Sequence, residues 1–440
     1  MEGNRRLLDE LVERFRFWLH IEDPYVIYTI AAVKASNKMS GDPVWLMLIG
    51  PSSDGKSEIL RAFTQPEDFS VDDITPKTFV SGFIQPKEDK NGNPIEPKPH
   101  FAEKIAGNIL FVYDLSILMS KHYEDRSTIL SDMRMIYDGC LKKEYGNRVE
   151  VEVNTEGTTL ICGSTPLIDK TILEDQLMGT RFITYRTHTE DRDAVMKKIM
   201  ENIPNMAALR SSLKVGVQMF ENNIKLEEIT VERPTQEKLM SLGNQTALLR
   251  TSASLDRNRE PDNIIYPEGP GRILKQLINL YRGYRVIGLS DEEAVEGIRR
   301  LCRYNVIPVR VKLLKYLKTK TDEWVTTSNV AVHTKLGKGT SKGQLYTLTQ
   351  LGLVDYKVME VFHREVDQWK LLDCDLDFFL GVDDKQKVLE VDEDKPPVFE
   401  KLPDQVEGVC GYCGFKMVLL FRDDKGHLVC ERCQAESNQS

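Results

Sequence analysis

The run Gly50-Pro51-Ser52-Ser53-Asp54-Gly55-Lys56-Ser57 combines the residue types that hold a polyphosphate. Its glycines let the backbone turn tightly, so that successive N–H groups and a helix N-terminus face an anion. Lys56 would reach the β- and γ-phosphates, and the Ser57 hydroxyl would ligate Mg²⁺. Such a loop needs a strand before it and a helix after it. The apolar run Val44-Trp45-Leu46-Met47-Leu48-Ile49 supplies the strand, and Glu58-Ile59-Leu60-Arg61-Ala62-Phe63 has helical spacing. Strand, glycine-bounded loop and helix form a P-loop, which implies bound ATP and Mg²⁺.

A P-loop also needs a carboxylate at the tip of a neighbouring strand to hold the metal through water. Ile109-Leu110-Phe111-Val112-Tyr113-Asp114 ends in such an acid, a Walker B pattern. The next residue is Leu115 rather than the glutamate that usually activates water. Either Asp114 takes part of both roles, or the base is Glu124, Asp125, Asp132 or Asp138. A third strand, Thr158 to Gly163, ends in Ser164-Thr165-Pro166. Thr165 or Ser164 would there be a sensor 1 hydroxyl, although Ser-Thr-Pro also forms turns. Arg181-Phe182 follows a small-residue turn and opens a strand, the setting of an arginine finger. The alternative is a surface arginine capping the preceding helix. Arg272 follows the glycine-rich break Glu268-Gly269-Pro270-Gly271 and fits a sensor 2 arginine on a helical lid.

Two further modules are legible downstream. Val309 to Leu317, a helix starting near Val325, and Thr340 to Leu351 read as three helices. Strands at Gly352 to Val358 and Val366 to Leu371 follow, so the unit resembles a winged helix. Lys335, Lys338, Ser341 and Lys342 would lie at the N-terminus of the third helix, where side chains and N–H groups suit phosphates. Such modules also dock proteins. Cys410-x2-Cys413, sixteen residues, then Cys430-x2-Cys433 is the spacing of a zinc ribbon. Four thiolates would close a tetrahedral Zn²⁺ site whose metal supplies folding energy. That module could contact DNA or a protein.

The order of P-loop, Walker B, sensor 1, Arg181-Phe182, lid arginine and winged helix resembles the AAA+ ATPases. Within them it is most similar to helicase-like ATP-binding proteins of phages and mobile elements, and more remotely to minichromosome maintenance helicases. Arg134-Met135-Ile136-Tyr137-Asp138-Gly139, followed by Lys142-Lys143, is similar to the segment those phage proteins place before sensor 1. The resemblance implies a pore-facing hairpin with Lys142, Lys143 and Arg148 as DNA contacts; a solvated hairpin tip is the alternative. It also implies a homo-oligomeric ring, expected to be a hexamer, acting on single-stranded or forked DNA beside other replication proteins. The missing Walker B glutamate departs from the family pattern.

The expected fold class is α/β: an AAA+ P-loop NTPase with a three-layer sheet domain, helical lid, winged helix and small zinc ribbon. The expected boundaries are an N-terminal helical segment at 1–43, with amphipathic helices, and an ATPase core at 44–190. A helical lid at 191–308, a winged helix at 309–372, an acidic linker at 373–404 and a zinc ribbon at 405–440 follow. The 440 residues are 41% hydrophobic and 29% charged, the composition of a globular protein. No stretch approaches the roughly 20 apolar residues of a membrane helix. The N-terminal sequence lacks a signal-peptide core, so a cytoplasmic location and no membrane partner are expected. The net charge of −9 excludes a uniformly basic nucleic-acid coat, but it is segregated. Residues 309–370 carry 11 Lys/Arg against 6 Asp/Glu, and residues 373–407 carry 4 against 12. Three functions fit: a DNA replication helicase-type motor, an ATP-dependent loader that docks partners without unwinding, and a nucleotide-gated DNA-binding switch with negligible hydrolysis.

Overall fold

The computed structural model describes residues 2–81, 99–146, 150–169, 181–251, 266–320, 322–361, 364–372, 376–381, 399–409, 416–423 and 428–429. They fall into two units, residues 1–252 with 267–307 and residues 253–266 with 308–440.

The first unit is α/β, a five-stranded parallel sheet flanked by helices, compatible with a P-loop-like domain. Its strands are β1 (Trp45–Ile49), β2 (Phe69–Val71), β3 (Ile109–Val112), β6 (Thr159–Ser164) and β7 (Phe182–Arg186). Their order across the sheet is β2-β3-β6-β1-β7. Every residue of β1, β3 and β6 is buried, as expected of parallel strands covered on both faces. Strand β6 lies between β1 and β3, pairing Ile49 with Ser164 and Val112 with Cys162. Alternate side chains build two layers. Trp45, Met47, Leu110, Val112 and Leu160 pack with α4 (Phe101–Ile105), α5 (Ser116–Met119) and α6 (Tyr123–Tyr137). The antiparallel hairpin of β4 (Cys140–Glu144) and β5 (Glu150–Asn154) adds Leu141, Val151 and Val153 to that layer.

The opposite layer contains α2 (Tyr25–Asn37) and α3 (Lys56–Phe63). An amphipathic α2 is the sequence expectation, but Val26 through Ser36 are all buried. The helix is held between β1 and α10 (Gly271–Val286), so it has no solvent face. At the crossing, a Cβ on Gly283 would stand 2.3 Å from the Ala32 carbonyl oxygen. Helix α1 (Glu2–Trp18) is amphipathic and packs on α8 (Met206–Asn223). Helices α7 (Arg192–Asn202), α9 (Arg233–Arg250) and α11 (Asp291–Tyr304) complete the unit. The Ser290 hydroxyl and Glu293 carboxylate form a capping box on α11.

The second unit begins with α12 (Pro308–Thr319), β8 (Val325–Thr326), α13 (Thr327–Thr334) and α14 (Lys338–Gln350). Strands β9 (Val354–Val361) and β10 (Arg364–Leu371) follow, in the antiparallel order β8-β10-β9. Val325 pairs with Trp369 as a strand residue, and the Thr326 hydroxyl caps α13. The buried Trp369 organises this core: its indole N–H donates to Thr327 Oγ1 at 2.8 Å, and Tyr346 and Tyr356 pack on its ring. Within the stretch expected as acidic linker, α15 (Asp377–Leu380) buries Phe379 and Leu380. Strands β11 (Phe399–Val409), β12 (Lys416–Asp423) and β13 (Leu428–Val429) form an antiparallel sheet. No helix among the described residues is long and apolar enough to cross a membrane.

Candidate functional site

The loop Gly50–Gly55 joins β1 to α3, as the apolar run and the helical spacing around it predict. Gly55 takes a positive φ of 76° immediately before Lys56 opens α3, and Ser53 takes 66°. These turns leave the first N–H groups of α3 at the loop, the arrangement that suits an anion. Lys56 is buried, and its ammonium donates to the Gly50 carbonyl at 2.8 Å and to that of Pro51. Burial lowers the Lys56 pKa, while the charges of Asp54 and Asp114 act in the opposite sense. Pro51, Ser52 and Ser57 are exposed, and Asp54 accepts hydrogen bonds from Thr187 and Thr189.

Asp114 and the Ser164-Thr165 pair come to the same end of the sheet as the loop. Gly50 N–H donates to the Ser164 carbonyl at 3.2 Å. Asp114 is exposed and accepts from the Ser116 N–H at 2.9 Å. Ser116 Oγ lies 3.2 Å from Ser164 Oγ and 3.1 Å from Thr165 Oγ1, tying the tips of β3 and β6 together. Ser164 is 2% exposed, so Thr165 offers the accessible hydroxyl of the two. Leu115 is buried and its N–H is bonded to Gly163, so the position after Asp114 belongs to the core.

Among the alternative carboxylates, Glu124 and Asp125 stand exposed on the first turn of α6. Asp132 and Asp138 are elsewhere. Helix α6 runs about 22 Å and ends where Tyr137 meets Trp45 at the start of β1, the sheet end opposite the loop. Asp132 is buried against Lys143, and Asp138 pairs with Arg181. Neither is brought to the loop.

Arg181 precedes β7, whose Phe182 pairs with Trp45 and whose Arg186 pairs with Ile49. It therefore lies a strand's length from the loop, roughly 17 Å at about 3.3 Å per residue. Arg181 is 8% exposed and donates to Asp138 at 2.7 Å. Its guanidinium lies 5.7 Å from the centre of the Tyr137 ring, and that of Arg272 lies 5.9 Å from the same ring. Burial raises the Tyr137 phenol to about 12. The structure thus gathers Arg181 and Arg272 around Tyr137, and brings neither to this chain's own Gly50–Ser57 loop.

A cavity of about 330 Å³ borders the loop from Ser53 to Ile59 and has no counterpart in the motif reading. Its apolar walls include Trp18, Leu19, Ile21, Val195, Ile199 and Leu209. An apolar slot beside a phosphate-type loop suits a flat heteroaromatic ring. These residues come from segments far apart in the chain, so no local pattern announces them.

The outlying candidates divide. Lys143 is committed to the buried Asp132, and the exposed Lys142 pairs with Glu152 at 2.9 Å; Arg148 lies outside the described residues. On the hairpin, Glu144, Glu150 and Glu152 are exposed beside Lys142. At α14, Lys335 and Lys338 are exposed, but Ser341 is fully buried and faces the core. Lys342 is paired with Asp367 at 3.1 Å. Cys410, Cys413, Cys430 and Cys433 lie outside the described residues. Among the described residues, no group of three or more His, Cys, Asp or Glu is placed to hold a metal ion.

No protein-family model and no curated protein matches the chain. Weak similarity links it to solved structures of the NrS-1 C-terminal region. The A-form apo structure of that region has a TM-score of 0.27 at 11% identity, covering 83% of this chain and 76% of the other. The A-form apo structure of its residues 305–718 has a TM-score of 0.30 at 13% identity, covering 83% and 75%. An apo structure of the same region has a TM-score of 0.26 at 12% identity, covering 83% of this chain and 76% of that one.

Proposed function

We propose that the chain is an ATP-hydrolysing, ring-forming motor of AAA+ type acting on DNA, as a replication helicase-type ATPase. The observation that carries this reading is the common end shared by three adjacent strand tips. The loop after β1, Asp114 after β3 and Thr165 after the intervening β6 face one region. In this reading Lys56 and the loop N–H groups hold the triphosphate, and Ser57 and Asp114 hold Mg²⁺ directly and through water. The apolar slot takes the base, and Thr165 orients the attacking water. Arg181 and Arg272, gathered at the far end of the sheet, serve the site of a neighbouring subunit. Asp138 holds Arg181 until that neighbour's phosphate competes for it. The unit from α12 to β10 acts as a winged helix with Lys335 and Lys338 toward DNA, and the four C-terminal cysteines hold Zn²⁺.

ATP turnover measured with and without single-stranded DNA tests the reading, with Lys56→Ala as control. Stimulation by DNA that disappears in Lys56→Ala is expected. Turnover indifferent to DNA would instead fit a loader that docks partners without unwinding.

One observation favours a second reading, a nucleotide-gated switch that hydrolyses ATP negligibly. The residue after Asp114 is a buried leucine, and Asp132 and Asp138 are paired away from the loop. Nucleotide binding without turnover in either condition would establish it.

A further inference from the structure

A carboxylate inside a phosphate-binding loop is a liability, because it repels the anion and competes for the lysine that should bind it. This loop has one: Asp54, two residues before Lys56. Lys56 does not bond to it, donating instead to the carbonyls of Gly50 and Pro51. The Asp54 oxygens are occupied elsewhere. Oδ2 accepts from the Thr187 hydroxyl at 2.5 Å and Oδ1 from the Thr189 hydroxyl at 2.8 Å.

Both threonines are held ready for this contact. They follow β7, and the Thr187 N–H donates to the Ile49 carbonyl at 2.8 Å, extending the β1–β7 ladder to the loop itself. Beyond Thr189, the N–H groups of Glu190 and Asp191 donate to the Glu22 carboxylate at 3.0–3.2 Å, which fixes the segment at its other end. Gly50 leaves the space. A Cβ there would fall 1.8 Å from Thr187 Oγ1. The first glycine of the loop thus makes room for the threonine hydroxyl.

We propose that Thr187 and Thr189 are positioning residues that hold the Asp54 carboxylate away from Lys56 and the phosphate cradle, keeping the loop receptive to a nucleoside triphosphate. The inference rests on the nucleotide reading above and deepens it. Without the two hydroxyls, Asp54 swings toward the ammonium two residues away and competes with the incoming phosphates.

The test is titration of the full chain with a non-hydrolysable ATP analogue in the presence of Mg²⁺. The Thr187→Val/Thr189→Val variant is expected to raise the dissociation constant about tenfold. The Thr187→Ser/Thr189→Ser variant keeps the hydroxyls and should bind like the unaltered chain. Adding Asp54→Asn to the double valine variant should restore affinity to within about twofold, because the competing charge is gone. A merely structural role for the threonines predicts no such rescue. Asp54→Asn alone should bind at least as tightly as the unaltered chain, and it carries the test if the valine variant does not fold. Unchanged affinity in the valine variant, failure of the rescue, or loss of binding in Asp54→Asn alone overturns the inference and leaves the nucleotide reading standing. No binding by the unaltered chain removes both.

Discussion

Lys34, on the otherwise apolar α2, is 3% exposed and faces two buried carboxylates. Its ammonium lies 2.6 Å from Asp68 and 2.9 Å from Glu221, and donates to the Phe63 carbonyl at 2.7 Å. One cation against two anions leaves a surplus negative charge in the interior. Burial raises the Glu221 carboxyl above its ordinary 4.5, the charges of Lys34 opposing and that of Asp68 adding to the rise. Between the unfolded and the raised folded pKa, the folded chain binds more protons than the unfolded one. Stability therefore falls as pH rises through that window. Glu221→Gln removes the titration while Lys34 keeps Asp68. Its thermal midpoint relative to the unaltered chain should climb as pH rises from about 4.5 toward neutrality. A difference that stays flat or declines across a pH series of melts would show that Glu221 carries no such burden. At this scale the sequence discloses what is local. Lys56, Ser57 and Asp114 announce themselves by their neighbours, whereas Thr187, Thr189 and Glu221 acquire meaning only from partners more than a hundred positions away.

Burial on two faces left the strands legible in the sequence but hid the true setting of one helix. Strands β1, β3 and β6 are short apolar runs, and burial on both faces explains why nothing in them alternates. Helix α2 has the same cause, since a sheet on one side and α10 on the other erase its polar face. On the hairpin, the charge of Lys143 was visible in the sequence, but its buried partner Asp132 was not. Gly283 shows how closely the elements approach. A methyl group there would meet the Ala32 backbone oxygen and carbonyl carbon at 2.3 and 2.9 Å, and backbone cannot rotate away as a side chain can. Alanine favours a helix over glycine by about 1 kcal/mol, so a solvent-facing substitution would stabilise. Here the crossing of α2 and α10 dominates. Gly283→Ala should cost about 2 kcal/mol net and lower the thermal midpoint by a few degrees. A midpoint that rises would show that the helices can separate without cost.

At the scale of the whole molecule, the separation of the loop from the two arginines is what the proposed motor must account for. In the parallel pairing of β1 with β7, Arg186 lies beside Ile49 and Arg181 lies beyond Trp45, so no side-chain rotation brings Arg181 to its own loop. Arg272 reaches the same Tyr137 ring from α10 and shares the distance. If both arginines act on phosphates, the phosphates belong to another copy, and each functional site takes a loop from one chain and arginines from the next. That arrangement makes a prediction no single-chain site can satisfy. Lys56→Ala chains keep intact arginines, and Arg181→Ala chains keep an intact loop. Each preparation alone should lose ATP turnover, yet an equimolar mixture should recover it. With random association in a closed ring, roughly a quarter of the interfaces combine the intact loop with the intact arginine. Arg181→Lys, which retains a cation for Asp138, separates loss of the ion pair from loss of the guanidinium. Turnover in the mixture should also rise with total protein concentration, because assembly creates the site. A mixture as inactive as its components, from chains that assemble as the unaltered protein does, would return Arg181 to a structural role beside Asp138.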